Sequence, residues 1–506
     1  MRLIDLLQRS CTKYPNRVAV KDDICEMTYA QLLSNVEKLS DLLKSAGCGP
    51  GVKIAVVLPN RGVYFASFFA ISATGATIVP MSSKMTAYEA AGFIKRAEVS
   101  LVLTEKTFAG KFAVQLGDKE QIAILTIEQS ADCFLKVETF ASGQPRADSD
   151  NSDVALMVYT SGTTGQSKIV MLTDDQLISN MFIYRAVTDF DRPNVVYCSL
   201  LLHHIYCICA QVLTHISLGD TFIAKDSPFF IKDFFRAVQN QRVTITAFVP
   251  YMAILMAEYP EPDQFDLSSL KYITLSGAKT PKLIYQKLTQ TFGHIRFINT
   301  YGMSEAGSRI SIAAPEPDEF PAESVGRPIP GVVVTIRDEN RKALPTDCTG
   351  EVEVKGSGVF KGYLNQPQLT SETIIDGWMR TGDLGRLDAQ GNLYLAGRKK
   401  EIILCGGENI FPAEIEETIL ENSSVREVAV IGIQDDRLEE VPCAFVVSKD
   451  GFGSEADIIN FCRKRLSSFK VPRKVFFTDK IPKLGTSKID RRQLKEIALE
   501  KLRTGL

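Results

Sequence analysis

The sequence predicts an α/β protein: a large N-terminal domain of layered mixed or parallel sheets with helices, a small β-rich subdomain, and a small α+β C-terminal domain. Three observations carry the prediction. Apolar strand-like runs alternate with longer helical patterns as far as about Asn299. Beyond "APEPDEFPAESVGRPIPG" the texture changes to short alternating strands broken by Gly and Pro, as in "VVVTIRDENRKALPTDCTGEVEVKG". From Arg398 the chain becomes a compact α+β tail rich in Lys and Arg. A length of 506 residues exceeds what one core usually serves, so more than one structural unit is expected.

The elements follow in order. "MRLIDLLQRSCTKYPNR" sets Leu3, Ile4, Leu6 and Leu7 among Arg2, Asp5 and Arg9, an amphipathic helix without the continuous apolar core of a signal peptide. "TYAQLLSNVEKLSDLLKSAG" reads as a helix, and "KIAVVLPN", "VSLVLTE" and "QIAILTI" read as buried strands. The uncharged stretch from Gly62 to Ser83 is long enough to span a bilayer. Gly75 and Pro80 divide it, however, into a helical half and a β-branched half, which predicts a buried helix followed by a buried strand and no membrane span. The polar segment Ala141 to Asp153 leads into the apolar run Val154 to Val158, and a second round of strands and helices fills Asn194 to Asn299, including "TITAFVPYMAILMAEYP" and "LKYITLSGAKTP".

Composition excludes several classes of function. Hydrophobic residues at 45% and charged residues at 23% are those of an ordinary folded protein. A formal charge of -2 gives no general attraction to nucleic acid or an anionic membrane, so any phosphate recognition must be local. The 11 cysteines show no repeating spacing, which predicts reduced thiols in a cytoplasmic protein rather than a disulfide framework or zinc site.

The stretch "YTSGTTGQSK", Tyr159 to Lys168, follows the apolar run directly. A loop of Gly, Ser and Thr leaving a strand can turn backbone N–H groups and hydroxyls onto an anion, with the lysine supplying charge. It is not a Walker A loop, because G-T-T-G-Q-S-K lacks that spacing and no Ser or Thr follows the lysine. A flexible surface linker is the bland alternative. Together with "TYGMSEAG", "WMRTGDLGRLDAQGNLYLAGRKKEIILCGGENIFPAEIE" and "PKLGTSKIDRRQL", in that order, the loop resembles the signatures of the adenylate-forming superfamily, of the acyl- or aryl-CoA synthetase type. The resemblance spans almost the whole chain and divides it into an AMP-binding domain, 1–397, and a mobile C-terminal lid, 398–506.

It implies ATP and Mg²⁺ as cosubstrate and cofactor, and an acyl-adenylate intermediate. Thr160, Ser161, Gly162, Thr163, Thr164, Gly165 and Lys168 would close over the departing pyrophosphate. Ser276, Gly277 and Ala278, with Asn299, Thr300, Tyr301, Gly302, Met303 and Ser304, would contact the nucleotide, Tyr301 by stacking. Glu305 suits Mg²⁺ as a hard oxygen ligand. Asp383 would accept the ribose hydroxyls, with Arg398 near the α-phosphate. Lys488 would stabilise the crowded negative transition state of adenylation. Lys400 matches the hinge, and Gly406 and Gly407 match the loop lining the thiol's pantetheine tunnel. In isolation most of these residues would read as turn formers or solvated charges. Ser487 stands where the family usually has Gly, with Gly485 two residues earlier, and Ser167 and Ile169 replace a common Pro and Gly.

For the acid, the segment Cys198 to Leu213 carries no acidic residue to hold an α-ammonium, which disfavours an amino acid. His204 occupies the histidine position of the CoA-ligase motif. Cys207, Pro250, Tyr301, Gly302 and Met303 would join it around an apolar pocket for an aryl or aliphatic acid. The sequence therefore predicts a carboxylate:CoA ligase; a stand-alone adenylating enzyme loading a phosphopantetheine on an acyl or peptidyl carrier protein is the alternative. A non-catalytic scaffold is disfavoured by the presence of Lys168, Glu305, Asp383, Arg398 and Lys488.

Overall fold

The computed structural model describes residues 1–116, 122–141, 143–160, 168–188, 190, 193–198, 200–278, 280–313, 323–406, 408–435, 437–449, 453–484 and 488–504. The alternation legible in the sequence becomes two large sheets. One has nine strands, and its centre is parallel: Val195–Cys198, Ile245–Phe248, Tyr272–Leu275 and Arg296–Tyr301 lie side by side. The other has eight strands, with Lys53–Val57, Thr77–Pro80 and Leu101–Thr104 parallel at its centre. Their runs of Val, Ile and Leu are buried on both faces, as expected of parallel strands covered by helices.

The uncharged stretch divides as its Gly and Pro require. Gly62–Thr74 is a helix, Gly75 ends it at φ 80, and Thr77–Pro80 is a strand. Nearly every side chain of that helix is buried: Phe65 packs on Phe222 of the nine-stranded sheet with ring centroids 5.0 Å apart, and the Tyr64 hydroxyl donates to Leu202 O at 2.9 Å. Each buried Phe there contributes about 1.5–3 kcal/mol. That is ample reason for an apolar helix inside a protein core. Among the described residues no helix is long and apolar enough to cross a membrane.

The β-rich subdomain is a five-stranded antiparallel sheet in which Val332–Arg337, Gly350–Gly356, Trp378–Leu387 and Ile374–Ile375 follow one another, with Leu393–Arg398 on the other side of Trp378–Leu387. A separate apolar core forms after it, from Ile403 to Ala498, around the long hairpin Val425–Asp435 and Glu439–Ser448 and the helices Pro412–Leu420, Glu455–Arg463 and Arg491–Thr504.

The expectation of reduced thiols throughout is corrected at one pair. Cys25 and Cys133, 108 residues apart, are joined as a disulfide with Cα atoms 5.9 Å apart. The reason is tertiary: Asn35 Nδ2 donates to Cys133 O at 2.7 Å and Gln129 Nε2 to Asp22 Oδ2 at 2.9 Å, drawing the turns at Cys25 and Cys133 together. No spacing in the sequence signals that approach.

Candidate active site

The parallel strands of the nine-stranded sheet deliver most candidate residues to one edge. Ligands of open α/β sheets bind beyond the carboxyl ends of such strands. Val195–Cys198 runs on toward His204; Ile245–Phe248 is followed by Pro250 at a helix start; Tyr272–Leu275 by Ser276, Gly277 and Ala278; and Arg296–Tyr301 by Gly302 to Glu305. Gly277 sits at φ 92 with Ala278 exposed beside it. Gly302 is needed for another reason: a Cβ there would meet Ser308 O at 1.7 Å. The chain after Glu305 thus folds back against the TYGM turn.

Three strands from two sheets then meet in a polar group. The buried Asp383 accepts from the Tyr301 hydroxyl at 2.6 Å through Oδ2 and pairs with Arg398 Nε at 2.7 Å through Oδ1. Asp383 and Arg398 are direct cross-strand partners, which explains why fourteen intervening positions do not separate them. Burial raises the Asp383 pKa, with Arg398, Tyr301 and Lys488 opposing. Burial also works against the Arg398 charge, but the charges around it, Asp383 first, more than offset this and leave its pKa raised. Tyr301 is held well above the usual phenol range by burial and by Asp383. With its hydroxyl committed to Asp383, Tyr301 presents its ring. Each carboxylate oxygen of Asp383 keeps acceptor capacity for a hydroxyl.

A second group stands beside it. Glu305, buried, accepts from the Tyr363 hydroxyl at 2.9 Å, and the Lys168 ammonium lies 5.0 Å from the Tyr363 ring centroid. Among the described residues no cation stands at ion-pairing distance from Glu305, and a buried carboxylate with a single neutral hydrogen bond suits a hard divalent cation such as Mg²⁺. Lys168 begins the strand Lys168–Thr173 and faces Thr160 across the antiparallel hairpin it forms with Val154–Thr160. Ser161, Gly162, Thr163, Thr164 and Gly165 lie outside the described residues, as do Ser167, Gly407, Gly485 and Ser487.

The C-terminal domain contributes Lys488. Its main chain is held in a hairpin, with Leu484 N–H donating to Lys488 O at 2.7 Å and Asp490 N–H to Pro482 O at 2.9 Å. Arg491, three residues on, ties this loop to Glu401 at 3.1 Å and Glu416 at 2.8 Å. The Lys488 side chain projects into a cleft, open to solvent yet surrounded by protein. Burial and Arg398 lower its pKa, against the pull of Asp383, Glu305 and Glu401. His204 feels Lys488 in turn: burial first, then that charge, pushes its imidazole down to about 4, so it is neutral at pH 7. Lys488, His204, Asp383, Arg398 and Glu305 therefore share one cleft between the two domains. Lys449 to Glu258 at 3.6 Å, and Lys483 at 5.0 Å from the Tyr251 ring centroid, bridge the same domains.

Of the other candidates, Lys400 stands just past the strand that carries Arg398, within reach of the charges of Arg398, Lys168 and Asp383. Cys207 is wholly buried, with Sγ 3.1 Å from Gln211 Oε1, and presents no surface to the cleft. Gly406 takes φ 59 in a hairpin turn and donates to Leu438 O. Burial and then Arg398 lower the Lys400 pKa. Sequence reasoning missed Tyr363, Glu401, Tyr206 and Arg309. Tyr206 follows His204 by two positions and hydrogen-bonds Thr274 Oγ1 at 2.7 Å. The helix it belongs to, Ile205–Cys207, continues as a π-helix, Ile208–Leu213, a form of helix frequent at functional sites.

Comparison with known proteins agrees with this fold. The AMP-binding enzyme family matches residues 7–364, and the AMP-binding enzyme C-terminal domain matches 414–488. A 4-coumarate–CoA ligase of Petroselinum crispum is 32% identical over 484 residues, 92% of this chain and 88% of that protein. The crystal structure of ATP-bound MatB from Rhodopseudomonas palustris superposes with a TM-score of 0.87 at 25% identity, covering 98% of this chain and 99% of that one. An o-succinylbenzoate CoA synthetase of Bacillus subtilis, in complex with its acyl-adenylate intermediate, gives a TM-score of 0.82 at 26% identity, with 97% of each chain covered.

Proposed function

The chain belongs to the AMP-binding enzyme family and is an acid–thiol ligase of the acyl-CoA synthetase type, and on that premise we propose that it joins an aryl or aliphatic carboxylic acid to CoA through an acyl-adenylate. The observation that carries the proposal is the meeting of Lys488, from one domain, with His204, Asp383, Arg398 and Glu305 of the other.

Adenylation brings an anionic acid against the anionic α-phosphate, so the site must neutralise charge and fix the line of attack. Lys488 is the mobile cation, entering from the lid toward the forming bond. Asp383 takes the ribose hydroxyls while Arg398, aligned by its pairing with Asp383, faces the α-phosphate. Tyr301 offers its ring to adenine, at the end of the strand that precedes Glu305. Lys168 attracts the departing pyrophosphate. Glu305, oriented by Tyr363, would hold Mg²⁺, which supplies charge neutralisation between phosphates when bound. His204, neutral, lines the acid side of the cleft without adding a charge there.

Thioester formation needs none of the pyrophosphate groups but needs a path for a thiol. A rotation of the domain after Arg398, about Lys400, withdraws Lys488 and opens that path. The Lys449–Glu258 and Lys483–Tyr251 contacts belong to the lysine-in arrangement and are broken by such a rotation.

The test is incubation with ATP, Mg²⁺ and a panel of fatty, aromatic and short acids, with and without CoA, read by mass spectrometry. Acyl-CoA and AMP from one acid class support the proposal. Acyl-AMP that persists in the presence of CoA points to a carrier protein as acceptor instead, and no AMP with any acid contradicts the proposal.

A further inference from the structure

Arg309 is the largest fully buried side chain among the described residues, 1% exposed, and none of its three guanidinium nitrogens has a hydrogen-bond partner among them. Its guanidinium carbon lies 3.4 Å from the Tyr184 ring centroid and 5.9 Å from that of Tyr206. Stacking on rings satisfies part of the charge but none of the five N–H donors. Nor can an arginine shed the charge by losing its proton.

Three other buried charges are paired within the protein. Lys53, 2% exposed, is paired with Glu98 at 2.6 Å and Asp148 at 3.0 Å. Glu353, 1% exposed, is paired with Arg337 and Arg341 at 3.0 and 3.1 Å. Asp220 pairs with His215 at 2.8 Å. Those three are structural charges satisfied from within; Arg309, like the buried Glu305, has no ion-pair partner among the described residues, and its neighbour Tyr206 stands two residues from His204. Arg309 follows the TYGM turn, and Asn180 Nδ2 anchors its carbonyl at 3.0 Å. The preceding Ser308 takes φ 94, a conformation that disfavours a side chain and that functional sites retain. Tyr206, the ring beside Arg309, is partly exposed two residues from His204.

We propose that Arg309 is a specificity-determining residue that receives a carboxylate at the far end of the acid, so that the substrate is a dicarboxylic acid activated at one end. The inference rests on the ligase reading above. Tyr206, released from Thr274, turns to admit the distal carboxylate, which then satisfies the guanidinium. A pocket built around an unpartnered donor rejects an analogue lacking the acceptor more strongly than an apolar pocket rejects a change of one methylene.

The test compares matched pairs of acids, hexanoate with adipate, octanoate with suberate and cinnamate with 4-carboxycinnamate, as kcat/KM for AMP release with ATP, Mg²⁺ and CoA. The wild-type enzyme is expected to favour the dicarboxylate at least about 10-fold in one pair. In Arg309→Met that preference falls by about 10- to 100-fold, and Arg309→Lys recovers part of it. A wild-type preference for monocarboxylates overturns the inference whether or not the variants fold, and so does an unchanged ratio in folded Arg309→Met. Preference for oxo acids over both members of a pair overturns the dicarboxylate assignment. If monocarboxylates alone release AMP, the ligase reading stands without this inference; if no acid releases AMP, both fall.

Discussion

The proposed nucleotide side and the proposed acid side of the cleft are built on opposite plans. On the proposed nucleotide side Tyr301 donates to Asp383 and Asp383 pairs with Arg398, while Glu305 has the Tyr363 hydroxyl as its partner and keeps room for a cation. On the acid side His204 is neutral and Arg309 is charged, buried and without a hydrogen-bond partner among the described residues. The difference teaches that a preformed network positions groups for a ligand that does not vary, whereas an unsatisfied donor leaves selectivity to be supplied by the ligand that does.

The largest test removes the residue that joins the two sides. Lys488→Ala is expected to lower acyl-adenylate formation by about 10²–10³-fold while ATP binding changes far less, because the ammonium acts chiefly on the transition state. Single-turnover formation of acyl-AMP and calorimetric ATP binding measure the two. The same argument fixes a pH dependence: the Lys488 pKa is lowered, so a rate that needs its proton declines with rising pH before an ordinary lysine at 10.5 would lose it.

Asp383→Asn separates the sides. It removes the charge shared by Tyr301 and Arg398 and is expected to weaken ATP binding by about 10- to 100-fold, with a smaller effect on the KM of the acid. Arg309→Met should do the reverse, changing acid selectivity and leaving ATP affinity nearly as it was. If both variants shift both ligands equally, the division into two plans is broken.

Smaller effects refine it. Tyr363→Phe strips Glu305 of its hydrogen bond and should raise the Mg²⁺ concentration needed for half-maximal activity by about 5-fold. For His204, the native pKa of about 4 lies below the unfolded value near 6.5. In that window the unfolded chain binds a proton that the native protein refuses. The resulting stability is present above pH 6.5 and is lost as pH falls toward 4, on the order of 1–3 kcal/mol. Thermal melts of wild type and His204→Asn at pH 7 and pH 5 should therefore converge as the pH is lowered.

How much of this was legible in the sequence differs between the same two sides. The layered α/β architecture, the division of the stretch from Gly62 to Ser83, and the motifs that carry the proposed nucleotide-side residues were readable because periodicity and contiguous sequence record them. Tyr363 was not, since it meets Glu305 from 58 residues away through the strand Gly362–Tyr363 that flanks Lys168–Thr173. Arg309 stands just past a recognised motif, yet a lone arginine in a sequence reads as a solvated charge; only its burial reveals the cost of leaving it unpaired. The Cys25–Cys133 disulfide was hidden for the same reason as Tyr363, a contact made by folding across 108 residues.

The central claim is that an acyl-adenylate is formed in the cleft where Lys488 meets Asp383 and Arg398. Turnover of an acid labelled with ¹⁸O in its carboxylate tests it most directly. The account predicts one labelled oxygen in AMP and none in pyrophosphate; label appearing in pyrophosphate or inorganic phosphate, with unlabelled AMP, would contradict it.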